Sequence, residues 1–321
     1  MKKITVGNKK PLVENLLLVE GITRAGKFLL ANILAGFKGI EPVQNFDSLE
    51  KIPVLARFNL VDKKVAEELL RCEVDMHCYE MLIGRNFNHR LSDKSSIFNH
   101  PRNKEYLKRC ILPDGVRALA RFYKENPYSF FIVHEMIPNI DIYFNLFPKI
   151  KIISIQRSPV DLVFSWYKRG YGWRIQNDPR VWVMSFKKGK IFFPWYIFPH
   201  QKKYTSLSEM DRLIFSIQIL FNAYKKKYKS FSNLEKKKIL IVNYEDIMLQ
   251  PVKLLGKISS FLDKKPTSDM ANILKREHLP KPSYFDAEKD KILEIKKHAS
   301  SECFGALMRL QKEYLLKRNK K

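Results

Sequence analysis

Read along the chain, apolar residues first gather at Leu16-Leu17-Leu18-Val19, a short unbroken run closed by Glu20-Gly21. A run of that length bounded by a turn residue predicts a strand buried on both faces. From Gly26 the pattern becomes helical, with Phe28, Leu29, Ile33 and Leu34 on one apolar face. Three further buried-strand runs follow at Ser129 to Val133, Ile152 to Ile155 and Ile239 to Val242, each with helical pattern downstream. Strands alternating with helices predict an α/β fold: a central, mostly parallel sheet flanked by helices. Val61 to Cys72, Tyr106 to Tyr123 and Ser208 to Tyr228 read as amphipathic helices, and Ala287 to Lys317 is helix-rich with a basic tail. No internal repeat or low-complexity linker divides the chain. A single domain is therefore expected over 1–321, with 1–14 and 313–321 as flexible basic ends. Two stretches are expected as insertions facing an acceptor: 85–103, polar, and 171–204, which contains Phe192-Phe193-Pro194-Trp195-Tyr196.

Composition changes this picture in one respect. Fifty-nine basic residues stand against thirty-three acidic ones, a net charge of +26. That field concentrates anions without choosing among a nucleic acid, an anionic membrane, an anionic cofactor and an acidic glycan. No helix-turn-helix, zinc spacing or ribonucleoprotein signature supports a specific nucleic-acid partner. Cys72, Cys78, Cys110 and Cys303 form neither a metal-ligand spacing nor a disulfide framework, which suits a reducing compartment. No apolar run reaches the roughly 18–20 residues of a membrane span, so a cytoplasmic protein is expected, with peripheral membrane contact left open.

Gly21-Ile22-Thr23-Arg24-Ala25-Gly26-Lys27-Phe28 follows the first strand and opens the first helix with the spacing G-x-x-x-x-G-K. Such a loop turns backbone N–H groups and a helix N-terminus toward an anion, and a lysine reaches the phosphate oxygens. In a nucleotide hydrolase the next residue is Ser or Thr, whose hydroxyl holds Mg²⁺. Here it is Phe28, and the strand ends at Gln156-Arg157 and Asn243 supply no acidic ligand. The loop is expected to bind an anion with no metal. A P-loop nucleotide-dependent kinase is the alternative that Gly26-Lys27 keeps open.

The strand Ile152 to Ile155 runs into Gln156-Arg157-Ser158-Pro159-Val160-Asp161 and on to Ser165. Ser158 reads as a helix N-cap, Pro159 as its first residue and Asp161 as the third position of a near capping box. Arg157 stands at the carboxyl end of a sheet strand, where open α/β folds bind ligands, and its planar fork suits a phosphate. Ser165 falls two turns after the cap on the same face and adds a hydroxyl to the same anion.

These residues resemble the sulfotransferase family that uses 3′-phosphoadenosine-5′-phosphosulfate (PAPS). Arg157, Ser158, Pro159, Asp161 and Ser165 match its R-[NDS]-P-x-D-x-x-x-S element for the 3′-phosphate. Gly21, Arg24 and Gly26 match its first loop, G-x-P-[RK]-S-G-T-T, which departs at Thr23, Ala25, Lys27 and Phe28. Ile239-Leu240-Ile241-Val242-Asn243-Tyr244-Glu245-Asp246, followed by Pro251 and Phe261-Leu262, resembles the family's strand ending in Y-E-D. The family's glycine-containing C-terminal phosphate motif has no counterpart, and Lys275-Arg276 are the candidates to stand in for it.

The resemblance implies a P-loop NTPase-like sulfotransferase fold and sulfuryl transfer from PAPS to a hydroxyl or amine. It places the cofactor on Arg24, Ala25, Gly26, Lys27, Phe28, Arg157, Ser165, Tyr244, Lys275 and Arg276, with Lys27 standing in as an anion ligand for the missing threonines. Arg24 matches the basic residue beside the bridging oxygen. Val133-His134-Glu135-Met136-Ile137-Pro138 resembles the strand end K-T-H-x-P, which makes His134 the candidate base and Glu135 its rival. The altered loop also keeps open a homologue that binds the cofactor without turning it over. For the acceptor, the lysines and aromatics of 85–103 and 171–204 suit a glycan, anionic or stacked on aromatic rings.

Overall fold

The computed structural model describes residues 5–7 and 10–319. Residues 1–4, 8–9 and 320–321, where part of the expected flexible ends falls, lie outside the described residues. Six strands form: β1 (Leu16–Gly21), β2 (Ser129–Ile132), β3 (Lys151–Gln156), β4 (Ser185–Lys188), β5 (Ile191–Pro194) and β6 (Ile239–Asn243). Four of them make a parallel sheet in the order β2-β1-β3-β6, and β4 and β5 pair as a separate antiparallel hairpin. Side chains alternate across β1 as strand geometry requires. Leu17 and Val19 enter one core, Leu16 and Leu18 the other. Every residue of β1 is buried, so its unbroken apolar run is that of a central strand covered on both faces.

The register sets Gly21 opposite Ile155 and Gln156 opposite Asn243, so β1, β3 and β6 end along one edge. After β1 the chain crosses to β2 on one side; after β3 it crosses to β6 on the other. Between β1 and β3 the connections therefore diverge, which opens the crevice where such sheets bind ligands.

Seven helices frame this crevice and its cover: α1 (Lys27–Leu34), α2 (Ser48–Arg57), α3 (Lys63–Leu82), α4 (Pro159–Lys168), α5 (Glu209–Ser230), α6 (Glu288–His298) and α7 (Ser301–Arg318). The start of α4 follows the expected chemistry. Ser158 caps it by accepting the Asp161 N–H at 3.3 Å, and Pro159 is its first residue. Ser208 caps α5 in the same way.

Two expectations are corrected. Tyr106 to Tyr123 is not one helix: the chain helical from Asn103 becomes extended at Leu112, and a new helix runs from Gly115 to Glu125. Pro113 explains the break, because its ring drives the preceding residue out of the helical region. Ala287 to Lys317 is helix-rich as expected: α6 and α7 fill it, parted at Ala299, which is extended, and Ser300 caps α7 by accepting the Cys303 N–H. The basic ends are also more structured than expected. Over 313–318 the chain is the end of α7, anchored by buried Tyr314, whose hydroxyl donates to Glu245 at 2.5 Å. At the other end Asp75 accepts the N–H groups of Leu12 and Val13.

Candidate active site

The phosphate loop leaves β1 through Gly21 (φ 152°) and enters α1 through Gly26 (φ 106°), with Arg24 between them also left-handed at φ 74°. Both glycines are sterically required. A Cβ on Gly21 would stand 2.5 Å from the Ile155 carbonyl oxygen, and one on Gly26 would enter the ring of Tyr244 at 2.3 Å. Gly26 offers no side-chain cap to α1, so the first amides of the helix face outward as an anion site. Phe28, in place of a hydroxyl, packs against the core instead.

Arg24 and Ser165, 141 residues apart, meet directly: Arg24 Nε donates to Ser165 Oγ at 3.2 Å. Arg157 Nη1 donates to the Arg24 carbonyl at 2.9 Å, and its guanidinium lies 4.3 Å from the centre of the Tyr244 ring. The loop, the arginine corner and the Y-E-D strand thus form one basic corner in the crevice between β1 and β3. Arg157 Nε is buried there without a hydrogen-bond partner, 3.7 Å from an Asp161 carboxylate oxygen.

Lys27 lies elsewhere than expected. Its ammonium is buried under the loop and donates to the carbonyls of Gly21 at 2.7 Å and Ile22 at 3.1 Å. Burial lowers its pKa, while the nearby carboxylates of Glu135, Glu50 and Glu20 act to raise it. An ammonium bonded to two loop carbonyls is held beneath the turn. It shapes the loop rather than opening toward an anion.

Lys275 and Arg276 are also away from the corner. Both are exposed, and Arg276 donates to the Asn99 carbonyl at 2.8 Å. Their helix, Met270–Arg276, packs on Gly36 just beyond the end of α1, roughly 12 Å of helix from the phosphate loop. In their place the structure brings Tyr284 and Lys291. Lys291 Nζ donates to Asp161 Oδ1 at 2.6 Å, the Tyr284 hydroxyl donates to Oδ2, and that carboxylate lies 3.7 Å from Arg157 Nε. Asp161, read from sequence as part of a capping box, instead gathers cations around the corner. No motif spacing marks Tyr284 or Lys291, which lie more than a hundred residues from their partner.

Beside the corner is a cavity of about 190 Å³ that reaches from Thr23 of the loop to His134 and Glu135. Buried Trp166, Trp195 and Tyr196 wall it, and Trp182, 64% exposed, stands at its rim. Segment 171–204 therefore contributes to this cavity. Segment 85–103 does not: it packs on the far side, where Arg102 donates to the carbonyls of Phe37 and Ile40 and Lys94 pairs with Glu277.

Within the cavity, the two candidate bases are held differently. Glu135, strained at φ 48°, accepts the Thr23 N–H at 2.6 Å and so anchors the phosphate loop. His134 pairs through Nδ1 with Glu50 Oε1 at 2.7 Å, and its backbone N–H donates to the same oxygen at 2.8 Å. The sequence reading missed Glu50, because nothing in its α2 setting signals a partner 84 residues away. Glu20 of β1 is buried against Ser154, with its carboxyl pushed up to about 7 by burial.

Among the described residues, no helix is long and apolar enough to cross a membrane. No curated protein matches the chain. Among solved structures it is similar to the sulfotransferase domain of the Synechococcus PCC 7002 olefin synthase, at 14% identity and a TM-score of 0.47, with 98% of each chain covered. It is also similar to the sulfotransferase domain from the curacin biosynthetic pathway, at 13% and 0.45, over 93% of this chain and 98% of that one. A third is the sulfotransferase STF9 from Mycobacterium avium, at 12% and 0.40, over 88% and 76%. The family model described as a sulfotransferase domain matches residues 86–305, which include His134, the element from Arg157 to Ser165 and Tyr244. With that match over more than half of its length, the chain belongs to the sulfotransferase domain family, and its chemistry is sulfuryl transfer.

Proposed function

We propose that the donor is PAPS and that the acceptor is a hydroxyl on a neutral, flat-faced molecule such as a sugar. One observation carries the donor assignment: Arg24, Arg157 and Ser165 converge in hydrogen-bond contact, from separate strand-to-helix corners, beside the open start of α1. Such a corner suits a nucleotide with an anionic group at each end. Arg157 and Ser165 would hold the 3′-phosphate, with Tyr284 and Lys291 closing that corner through Asp161. Arg24 and the amides of Gly26, Lys27 and Phe28 would hold the 5′ end. When bound, PAPS supplies the sulfuryl group and a phosphate as leaving group; Arg24 would stabilise the charge that develops on the bridging oxygen. His134 would take the proton of the acceptor, since Glu135 is committed to the loop.

The cavity supports the acceptor class. Asp47, Glu50 and Glu135 line it beside Lys51 and Arg180. Both cations are already paired, with Asp47 and Asp178. A polyanionic glycan would meet carboxylates there, whereas an uncharged ring would meet the faces of Trp166, Trp195 and Trp182.

The donor test is thermal stabilisation by 3′,5′-adenosine bisphosphate in EDTA. Binding that stabilises the chain at ligand in excess over Kd raises the melting temperature. Coincident melts with and without this nucleotide would refute the PAPS assignment. Stabilisation by ATP only with Mg²⁺ would favour the kinase alternative.

A further inference from the structure

We infer that Glu50 is the positioning residue of this reaction: it holds His134 in the tautomer protonated at Nδ1, which leaves Nε2 as the atom that receives the acceptor's proton. The inference rests on the sulfuryl-transfer reading of the site and adds a group that no motif of the family element supplies.

The geometry assigns the proton. Glu50 Oε1 already receives the backbone N–H of His134 at 2.8 Å, and the ring Nδ1 stands 2.7 Å from the same atom. A carboxylate only accepts, so the ring nitrogen beside it must carry the hydrogen. In a neutral imidazole the other nitrogen then holds a free lone pair. Nε2 has no hydrogen-bond partner among the described residues, and both side chains line the cavity at about one-fifth exposure (22% and 21%).

Glu50 is itself held on both sides. Leu49, fully buried, accepts the Tyr143 hydroxyl at its carbonyl at 2.7 Å. Ser48 donates to Glu73 of α3 at 2.5 Å, and Lys51 pairs with Asp47 at 3.1 Å. Glu50 also lies in the first turn of α2, where the helix N-terminus favours a negative charge. The carboxylate thus presents a fixed oxygen to the ring, and the backbone bond sets its distance.

The step balances. The acceptor oxygen forms a bond to sulfur while the bond from sulfur to the nucleotide's phosphate oxygen breaks, and that oxygen keeps the electron pair. The hydroxyl proton passes to Nε2, giving an imidazolium that Glu50 pairs at Nδ1. Without Glu50 the ring is free to take the Nε2–H tautomer, which has no lone pair facing the acceptor.

The experiment is long-range ¹H–¹⁵N spectroscopy of the full chain carrying ring-labelled histidine at pH 8, with His134 assigned by His134→Asn. The expected result is an Nδ1–H signature in the parent and in Glu50→Gln, whose amide oxygen still accepts, and a switch toward Nε2–H in Glu50→Ala. Sulfuryl transfer should fall in Glu50→Ala by roughly 100-fold in kcat, with the donor KM within about two-fold, and less in Glu50→Gln. An Nε2–H parent, or an unchanged tautomer in Glu50→Ala, overturns the inference. Should Glu50→Ala not fold, the parent spectrum and the kcat of Glu50→Gln still decide. The tautomer is read without any turnover, so a failure of the transferase reading is visible separately, as absent transfer with an intact Nδ1–H signal.

Discussion

The proposed nucleotide corner and the proposed acceptor cavity share one loop, yet they are built by opposite means. At the corner each functional group sits at a fixed offset from a strand end: Arg24 three residues after Gly21, Arg157 just past β3, Ser165 two turns into α4. The backbone geometry of strand, turn and helix sets those offsets, so they leave a spacing in the sequence. The cavity is assembled from pieces with no shared register: the candidate base after β2, its partner in α2, and a wall from the segment around the β4–β5 hairpin. Rigid phosphate chemistry is written locally, whereas the acceptor surface is written in long-range packing.

The sharpest way to separate the two halves is to remove one group from each. His134→Asn should lower kcat by roughly 10²–10⁴-fold, the usual worth of a general base. Its thermal shift with 3′,5′-adenosine bisphosphate should match the parent's. Loss of nucleotide binding in this variant would show that corner and cavity are one coupled unit. Arg157→Ala should give the converse result. Truncating a buried, charge-assisted contact costs about 2–4 kcal/mol, so nucleotide affinity should fall roughly 30- to 1,000-fold by calorimetry. Arg157→Lys, which keeps the charge but loses the fork, should fall between them.

The same contrast explains what was legible in the sequence. All four strands of the central sheet were, because buried runs of Leu, Ile, Val and Phe admit little else. Arg24, Arg157, Ser165 and Tyr244 were placed in one corner by motif alone, and the structure joins them. The place of Lys27 was not legible, because spacing cannot show that its ammonium turns back beneath the loop onto the Gly21 and Ile22 carbonyls. Lys275 and Arg276 were chosen as a basic pair near the C-terminus. Tyr284 and Lys291, which meet Asp161 beside the corner, are ordinary members of their segments until Asp161 is seen between them. Glu50 was silent for the same reason.

Glu20 lies under both halves, in contact with Ser154 of β3 and within the field of Lys27 and Glu135. Its carboxyl is raised from 4.5 to about 7, so the folded state holds this proton more tightly than the unfolded chain. The associated stability is present below pH 4.5 and is lost as the pH rises through about 7. Melting temperature should therefore decline by roughly 2–5 °C between pH 5 and 8, and Glu20→Gln should remove most of that slope. A slope that survives the substitution would assign the titration to another group.

The smallest expected effect tests the comparison most finely. Ser165 Oγ accepts from Arg24, and in the proposed function its own O–H meets the 3′-phosphate. Ser165→Ala removes one charge-assisted hydrogen bond to the nucleotide and leaves both arginines in place, which is worth about 1.5 kcal/mol, or roughly 10-fold in nucleotide affinity. Because Trp166, the next residue, donates through Nε1 to the Thr23 carbonyl at 2.8 Å, helix α4 also carries part of the cavity wall. If the two halves are independent, Ser165→Ala leaves the acceptor KM unchanged while the donor KM rises. If α4 transmits strain between them, both constants move together, and the division into a locally written corner and a packed cavity is wrong at the one helix that touches both.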